Sequence, residues 1–272
     1  MALAAAPAWP QNYSDIWWNP DDPGWGLTLA DHETQMFAVW YTYQFNGQPA
    51  WFVIPGGTFS QDKRFFSGDL YQATGPAYDA PFDPKRVALM RIGNASIDFA
   101  PSGVASGTAL FTYNVGPVAK TKPIQRLPFG NAAPDWGTDA TDIWWNPEES
   151  GWGLALAQHG NNLFGAWYTY GHDGLPLFIV MPGGTFDAPN RISGTLYTTT
   201  DPYYAYASFD GGQGVIIEVG HATIVFSETT SASATRTLTF TSTVNGFTQT
   251  KTLTPLRFGR TDARGDYTAA IK

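Results

Sequence analysis

Two short segments of the chain place acidic side chains directly beside paired tryptophans. They span residues 17–24 and 144–151, and their acids are Asp21, Asp22, Glu148 and Glu149. An aromatic ring can stack on the C–H face of a sugar, while carboxylates accept hydrogen bonds from its hydroxyl groups once water has left. The segments therefore predict carbohydrate contacts on exposed loops. The competing interpretation is that one buried tryptophan pins each loop and that the acids are solvated.

Aromatic residues farther along each half extend the candidate ligand-binding set. In the first half the set is Trp17, Trp18, Asp21, Asp22, Trp25, Trp40, Tyr41 and Tyr43. In the second half it is Trp144, Trp145, Glu148, Glu149, Trp152, Trp167, Tyr168 and Tyr170. Large aromatic side chains commonly fill a core, where each buries about 150–250 Å² of surface. Core packing is therefore the competing interpretation for every ring in the set.

Four histidines are the other candidates for chemistry. His32 and His159 occupy equivalent positions in the two halves, whereas His172 and His221 belong to the second half alone. Calcium needs six or more oxygen ligands and a histidine metal site needs several converging groups, and neither pattern is present in the sequence. Since no Gly-x-Ser-x-Gly elbow, His-Glu-x-x-His, P-loop or dinucleotide fingerprint occurs either, we predict no catalytic residue, no metal ligand and no cofactor. An enzymatic alternative would use His159 and His172 with Tyr168 or Tyr170 as acid and base.

The chain consists of two tandem copies of one sequence unit. Ile-Trp-Trp-Asn-Pro at residues 16–20 returns at residues 143–147, an offset of 127 residues, and Trp-Tyr-Thr-Tyr at 40–43 returns at 167–170. This period is that of an ordinary domain and is far longer than a solenoid repeat. The predicted organisation is a signal-peptide remnant over residues 1–8, a first β-domain over 9–130, a linker over 131–135, a second β-domain over 136–259 and a polar tail over 260–272.

Short strand-like segments separated by turns recur through both halves. No segment shows helical periodicity with caps. About eight short strands per half, each joined to the next by a short turn, predict an all-β fold of two tandem antiparallel up-and-down barrels, with a β-sandwich as the alternative. Successive residues of a strand face opposite sides, so Trp40 and Tyr41 place rings on both faces of one strand. We expect one face to fill a barrel and the other to cover an interface, a groove or the partner domain.

The composition limits the partners. There are 15 Lys and Arg against 23 Asp and Glu, which gives a net charge of −8 and argues against nucleic acid and anionic membrane surfaces. The sequence has no Cys, which excludes disulfides and thiolate metal sites. Charged residues make up only 14% of the chain, so we expect a secreted or periplasmic protein. No apolar run approaches the roughly 20 residues needed to span a bilayer, so we expect no membrane insertion.

Several of the repeated motifs resemble those of a known repeat domain. Gly-Trp-Gly-Leu, then Leu-Phe-x-x-Trp-Tyr-Thr-Tyr, then Gly-x-Pro resembles a poorly characterised tandem repeat domain of secreted bacterial proteins, and the likeness covers nearly the whole chain. This resemblance implies export and an all-β fold and brings no catalytic motif. The strand count is also similar to that of avidin-type and lipocalin-type barrels.

These observations predict a non-enzymatic secreted binding protein whose aromatic sites contact a glycan. The alternative is a lipocalin-like carrier that holds an apolar small molecule inside the barrel, with Trp40 and Trp167 lining the cavity. A purely structural role and the enzymatic reading stay open. The spare aromatic face could also mediate a homodimer.

Overall fold

The computed structural model describes residues 12–32, 34–130, 139–201, 214–227 and 236–257. These residues form two closed eight-stranded antiparallel barrels in which each strand pairs with its neighbours in sequence. The expected all-β fold of two up-and-down barrels is confirmed, and the sandwich alternative is wrong. The predicted signal-peptide remnant, linker and polar tail lie outside the described residues.

The first barrel comprises β1 (Asp15–Trp18), β2 (Gly26–His32), β3 (Gln35–Tyr43), β4 (Pro49–Phe59), β5 (Phe65–Thr74), β6 (Ala88–Asp98), β7 (Ala109–Val115) and β8 (Val118–Arg126). The second comprises β9 (Asp142–Trp145), β10 (Gly153–His159), β11 (Asn162–Tyr170), β12 (Pro176–Ala188), β13 (Arg191–Thr200), β14 (Val215–Phe226), β15 (Leu238–Val244) and β16 (Phe247–Pro255). Single 3-10 turns lie at Pro84–Arg86 and Pro147–Glu149. No helix among the described residues is long and apolar enough to span a membrane.

Aromatic rings fill the interior of the first barrel. Trp40 pairs with Leu27 across β2 and β3, so both side chains point inward. The Trp40 ring lies 4.4 Å from the ring of Tyr113 and 5.3 Å from those of Phe52 and Phe111, measured between centroids. Small eight-stranded barrels are just wide enough for side chains to fill them, and these rings do so here. The room that a ligand would need beside Trp40 is therefore taken by protein.

The outward faces of β3 and β4 pack against those of β11 and β12. The Tyr41 ring lies 5.4 Å from that of Phe178, and the repeat-related pair Trp51 and Tyr168 has the same 5.4 Å separation. Trp51 also donates a 2.7 Å hydrogen bond from Nε1 to the carbonyl oxygen of Thr169. Because the ring contacts repeat on both sides of the interface, the barrels meet as a homodimer does across a two-fold axis. The Trp51 hydrogen bond does not repeat, since its counterpart residue is Phe178. The second aromatic face of this strand thus covers the partner barrel.

Two reciprocal histidine–aspartate contacts flank this interface. His32 Nε2 lies 3.0 Å from Asp142 Oδ1, and His159 Nε2 lies 3.0 Å from Asp15 Oδ1. The hydrogen bond to Asp15 is the main cause that raises the pKa of His159. Burial raises the pKa of Asp15, but its hydrogen bonds to His159 and Arg126 outweigh burial and lower it overall. The repeat-related histidines therefore join the two barrels.

The segment between β5 and β6 crosses from the first barrel to the second. The backbone N–H of Tyr78 donates a 3.0 Å hydrogen bond to the carbonyl of Tyr170, and the Tyr78 ring lies 5.8 Å from that of Trp167. Gln249 Nε2 donates to the carbonyl oxygen of Tyr78 at 3.0 Å. Tyr78 is buried in the aromatic core of the second barrel. A segment of the first half thus covers part of the aromatic core of the second barrel.

Candidate ligand-binding site

A cleft of about 320 Å³ lies between the two barrels. Its wall on the first barrel comes from β1 to β3 and the segment before β2, and its wall on the second comes from β11 to β14. The rings that line it are Trp18, Trp25, Tyr41, Tyr43, Phe164 and Phe178. The aliphatic lining is Ile16, Pro23, Leu127, Val180, Val215 and Ile216, and the remaining described lining residues are Gly24, Gly26, Thr199, Thr200, Asp201 and Gly214.

The strand register explains the aromatic wall of the first barrel. Gly26 pairs with Trp18 on one side and with Tyr41 on the other, so all three residues face the second barrel. Because glycine has no side chain, the two rings flank an unfilled position on the sheet surface. A Cβ at Gly26 would lie 3.0 Å from the carbonyl oxygen of Trp17, which also leaves little room for a larger residue.

Few polar groups face the cleft. The Trp18 indole N–H is buried and has no hydrogen-bond partner among the described residues. The Tyr43 hydroxyl donates to the carbonyl of Gly24 at 2.8 Å and lies 2.8 Å from Thr199 Oγ1. Burial raises the pKa of Tyr43 well above its usual value, and the charge of Asp201 raises it further. Tyr43 is therefore a neutral hydroxyl, and Asp201 is the one side chain with a formal charge among the described lining residues.

Asp201 sits at the end of β13 in a cradle of two glycines. Its side chain is buried, and its backbone N–H donates a 3.2 Å hydrogen bond to the carbonyl of Gly47 in the first barrel. A Cβ at Gly24 would overlap the carboxylate, and a Cβ at Gly214 would lie 3.0 Å from Oδ2. Gly24 also has a φ of +110°, which disfavours any other residue. The carboxylate thus fits because both positions lack side chains.

The repeat-related position on the other side of the interface is closed. It is lined by Phe37, Trp51, Val53, Trp145, Gly151, Trp152, Tyr168 and Leu256 and encloses only about 10 Å³, room for about one water at most. Trp51 occupies the position in this twin that corresponds to Phe178 in the open cleft. Val87 packs on Gly151, with Cγ2 2.6 Å from where a Cβ of that glycine would lie. We call this position the closed twin of the cleft.

The structure divides the sequence-predicted aromatic residues into two groups. Trp18, Trp25, Tyr41 and Tyr43 line the cleft, whereas Trp17 and Trp40 do not. Trp17 lies on β1 with its ring in the barrel core and donates from Nε1 to the carbonyl of Tyr13 at 3.1 Å. The expectation that Trp17 stands on an exposed loop is wrong, because the inward face of β1 begins the core.

The second half repeats this division around the closed twin. Trp145, Trp152 and Tyr168 line the twin. Trp144 is buried and donates from Nε1 to the carbonyl of Ala140 at 3.0 Å, so it is not exposed either. Tyr170 lies in the interface, where its hydroxyl donates to the carbonyl of Gly151, and Trp167 lies inside the second barrel.

The predicted acids do not meet the cleft. Asp21 and Glu148 are exposed on their loops. Asp22 accepts hydrogen bonds from Trp25 Nε1 at 3.3 Å and from the ammonium of Lys122. Glu149 repeats this pattern at the other barrel: it accepts from Trp152 Nε1 at 3.2 Å and from Lys251 Nζ at 2.6 Å. Both acids are therefore held in ion pairs with lysines.

Sequence reasoning missed the two lysines, Asp201, and the cleft rings Phe164 and Phe178. Lys122 and Lys251 occupy corresponding places on β8 and β16, in a chain with few basic residues, and that recurrence was the available signal. Asp201 has no counterpart acid in the first half, where Gly75 stands. That difference becomes visible only when the halves are compared residue by residue.

The histidines do not gather into one site. His159 stacks on Phe129 with ring centroids 4.0 Å apart while it pairs with Asp15 at the interface. His172 is an exposed residue that lies 3.3 Å from Asp79. Neither lines the cleft, and Tyr168 and Tyr170 are fully packed between the barrels.

The described residues define a protein of two packed β-barrels with an open apolar cleft between them. No known family model matches the chain, and neither a curated protein nor a solved structure matches it. The fold and the cleft are therefore the basis for any statement about function.

Proposed function

We propose that the protein is a non-enzymatic binding protein that holds one small, mainly apolar molecule in the cleft between its barrels. The observation that carries this proposal is the contrast between the open cleft of about 320 Å³ and its closed twin of about 10 Å³. Ligand pockets in proteins span about 300–1,000 Å³ and are lined mainly by apolar and aromatic side chains with a few polar groups. The cleft has the volume and the lining of a small member of that class.

The lining favours an apolar ligand over the glycan expected from the sequence. A sugar presents hydroxyls around its ring, and each hydroxyl that is buried without a partner costs about 1–3 kcal/mol. The cleft offers rings and aliphatic groups along most of its wall, with polar groups at Trp18, Tyr43, Thr199, Thr200 and Asp201. Of the four acids that were expected to orient a sugar, Asp22 and Glu149 are paired with lysines, and Asp21 and Glu148 are exposed on loops that do not line the cleft.

The position of the cleft favours a ligand site outside the barrels over the lipocalin-like site inside a barrel. A carrier of that kind holds its ligand inside the barrel, but here Trp40 and Trp167 pack against other rings. The proposed ligand instead lies outside both barrels, against the rings that join them. The proposal retains the secreted or periplasmic location, which the low charged fraction supports.

Fluorescence titration with N-phenyl-1-naphthylamine, a neutral aromatic reporter, tests the proposal. We expect saturable enhancement at one equivalent per chain. The blocking variant Phe178→Trp with Gly214→Val copies the residues of the closed twin into the cleft and should weaken binding at least tenfold. The matched control is Phe65→Trp with Gly183→Val: Phe65 is exposed, and a Cβ at Gly183 would meet nothing within 4 Å.

The control variant should bind as the wild-type protein does. No saturable signal from the wild-type protein would overturn the proposal, and so would equal binding by the blocking and control variants. A parallel titration with soluble oligosaccharides separates the glycan expectation, because sugar binding unaffected by the blocking variant would locate a different site.

A further inference from the structure

We propose that the ligand of the cleft carries a positively charged amine that pairs with the carboxylate of Asp201. This inference rests on the proposed function, because it names the chemical class of the molecule that the cleft takes. The support for it comes from comparing the open cleft with its closed twin, which shows which residues differ between these two repeat-related sites.

The backbone establishes which residues correspond. The N–H of Asp201 donates to the carbonyl of Gly47 at 3.2 Å, and the N–H of Gly75 donates to the carbonyl of Gly174 at 3.1 Å. Gly47 and Gly174 are themselves repeat-related turn residues, so Asp201 and Gly75 are counterparts. The acidic side chain is therefore present at the open cleft and absent from the closed twin.

The other differences make room for this carboxylate. The counterpart of Gly214 is Val87, whose isopropyl group packs on Gly151 in the closed twin. At the open cleft no side chain projects from position 214, and the Asp201 carboxylate lies against Gly24 at the corresponding place. The closed twin thus has a hydrocarbon group where the open cleft has a buried charge.

A buried carboxylate in an apolar cleft favours a cationic ligand on energetic grounds. Whatever contacts the carboxylate makes within the chain, a ligand ammonium adds a charge-assisted hydrogen bond in surroundings of low polarity, where such bonds are strong. Among the described lining residues there is no Lys, Arg or His that would repel the ammonium or compete with it. A ligand carboxylate at the same place would meet like charge.

The aromatic wall supports the same ligand chemistry. Trp18, Trp25 and Tyr43 line the cleft together with Asp201, and aromatic faces attract cations, most strongly when water is excluded. Trp25 already faces one ammonium from the barrel side, because Lys122 Nζ lies 5.2 Å from its ring centroid. The net charge of −8 also attracts cations to the protein as a whole.

Three ligands with one aromatic body and different ends test the inference by isothermal titration calorimetry on the full chain at pH 7. They are 2-(1-naphthyl)ethylamine, 2-(1-naphthyl)ethanol and 1-naphthaleneacetate. We expect the amine to bind at least tenfold more tightly than the alcohol, and the acid to bind most weakly. In Asp201→Asn the affinity for the amine should fall to that of the alcohol, while the alcohol keeps its wild-type affinity within about twofold.

The wild-type comparison of amine with alcohol needs no variant, so the inference can fail even if Asp201→Asn does not fold. Equal affinities for the two would overturn the inference and leave the proposed function standing. Unchanged amine affinity in a folded Asp201→Asn variant would also overturn it. If none of the three ligands binds, both the inference and the proposed function fail.

Discussion

Replacing two residues that fill the closed twin should give the chain a second ligand site. The variant is Trp51→Phe with Val87→Gly, which copies the second-half residues Phe178 and Gly214 into the first half. Trp51 lines the twin, and Val87 occupies the space above Gly151. Because Trp51 and Val87 are bulkier than their counterparts Phe178 and Gly214 at the open cleft, these substitutions should enlarge the twin toward the volume of the cleft.

The same substitutions should lower the free energy of unfolding by a moderate amount. Phenylalanine cannot donate the hydrogen bond that Trp51 Nε1 makes to Thr169 at 2.7 Å, and such a bond contributes about 0.5–1.5 kcal/mol. The smaller ring and the lost isopropyl group of half-buried Val87 together cost about 2 kcal/mol through lost packing. The total of about 3 kcal/mol is smaller than the 5–15 kcal/mol of a typical domain, so we expect a folded variant.

Isothermal titration with 2-(1-naphthyl)ethanol measures the number of sites. We expect one site in the wild-type protein and two in the variant. The control is Trp17→Phe with Val118→Gly, which removes a similar indole donor and a half-buried valine that do not line the twin, and it should retain one site. A folded Trp51→Phe/Val87→Gly variant with a single site would refute the assignment of Trp51 and Val87 as the residues that close the twin.

Three further predictions concern the interfaces and the ion pairs. A group whose pKa is raised in the folded state stabilises the protein at low pH, and this stabilisation is lost as the pH rises through the raised pKa. The contribution of His159 to the free energy of unfolding should therefore decline above about pH 6.5. His159→Gln should flatten this part of a plot of unfolding free energy against pH. Lys122→Met leaves the buried carboxylate of Asp22 without its ammonium partner and should cost about 3 kcal/mol in urea unfolding, whereas a loss below about 1 kcal/mol would show that the pair contributes no more than a surface pair. Tyr78→Ala should cost about 3 kcal/mol and shift tryptophan emission to the red by uncovering Trp167, with Tyr78→Phe as the control; unchanged emission would contradict the capping role.

The barrels could be predicted from the sequence because their signals are local. Strand alternation and turn residues determine which neighbours pair, and a repeat of 127 residues shows that the same fold forms twice. The opposite facing of Trp40 and Tyr41 follows from strand geometry alone, and the structure confirms it with one ring in a barrel core and the other at the interface.

The cleft could not be predicted in this way, because it arises where two halves of the chain meet. Trp18 and Phe178 come from different barrels, and no local pattern indicates that their faces oppose each other. The pairing of Asp22 with Lys122 joins residues 100 positions apart. Contacts at such separations depend on how the barrels close and pack, which periodicity does not encode.

The difference between the halves is also invisible to motif reasoning. The repeated motifs suggested two equal sites, but Gly75 and Val87 replace Asp201 and Gly214 in segments without any motif. The larger ring of Trp51 and the isopropyl group of Val87 together take up space in the twin that Phe178 and Gly214 leave open in the cleft. Identical motifs therefore produced one open cleft and one closed twin.

A crystal structure of the protein with 2-(1-naphthyl)ethylamine tests the central claim most directly. We expect one ligand per chain, with its rings between Trp18 and Phe178 and its nitrogen about 3 Å from the carboxylate of Asp201. A ligand bound inside a barrel or on the outer surface would contradict the claim, and so would a cleft occupied by side chains of the chain itself.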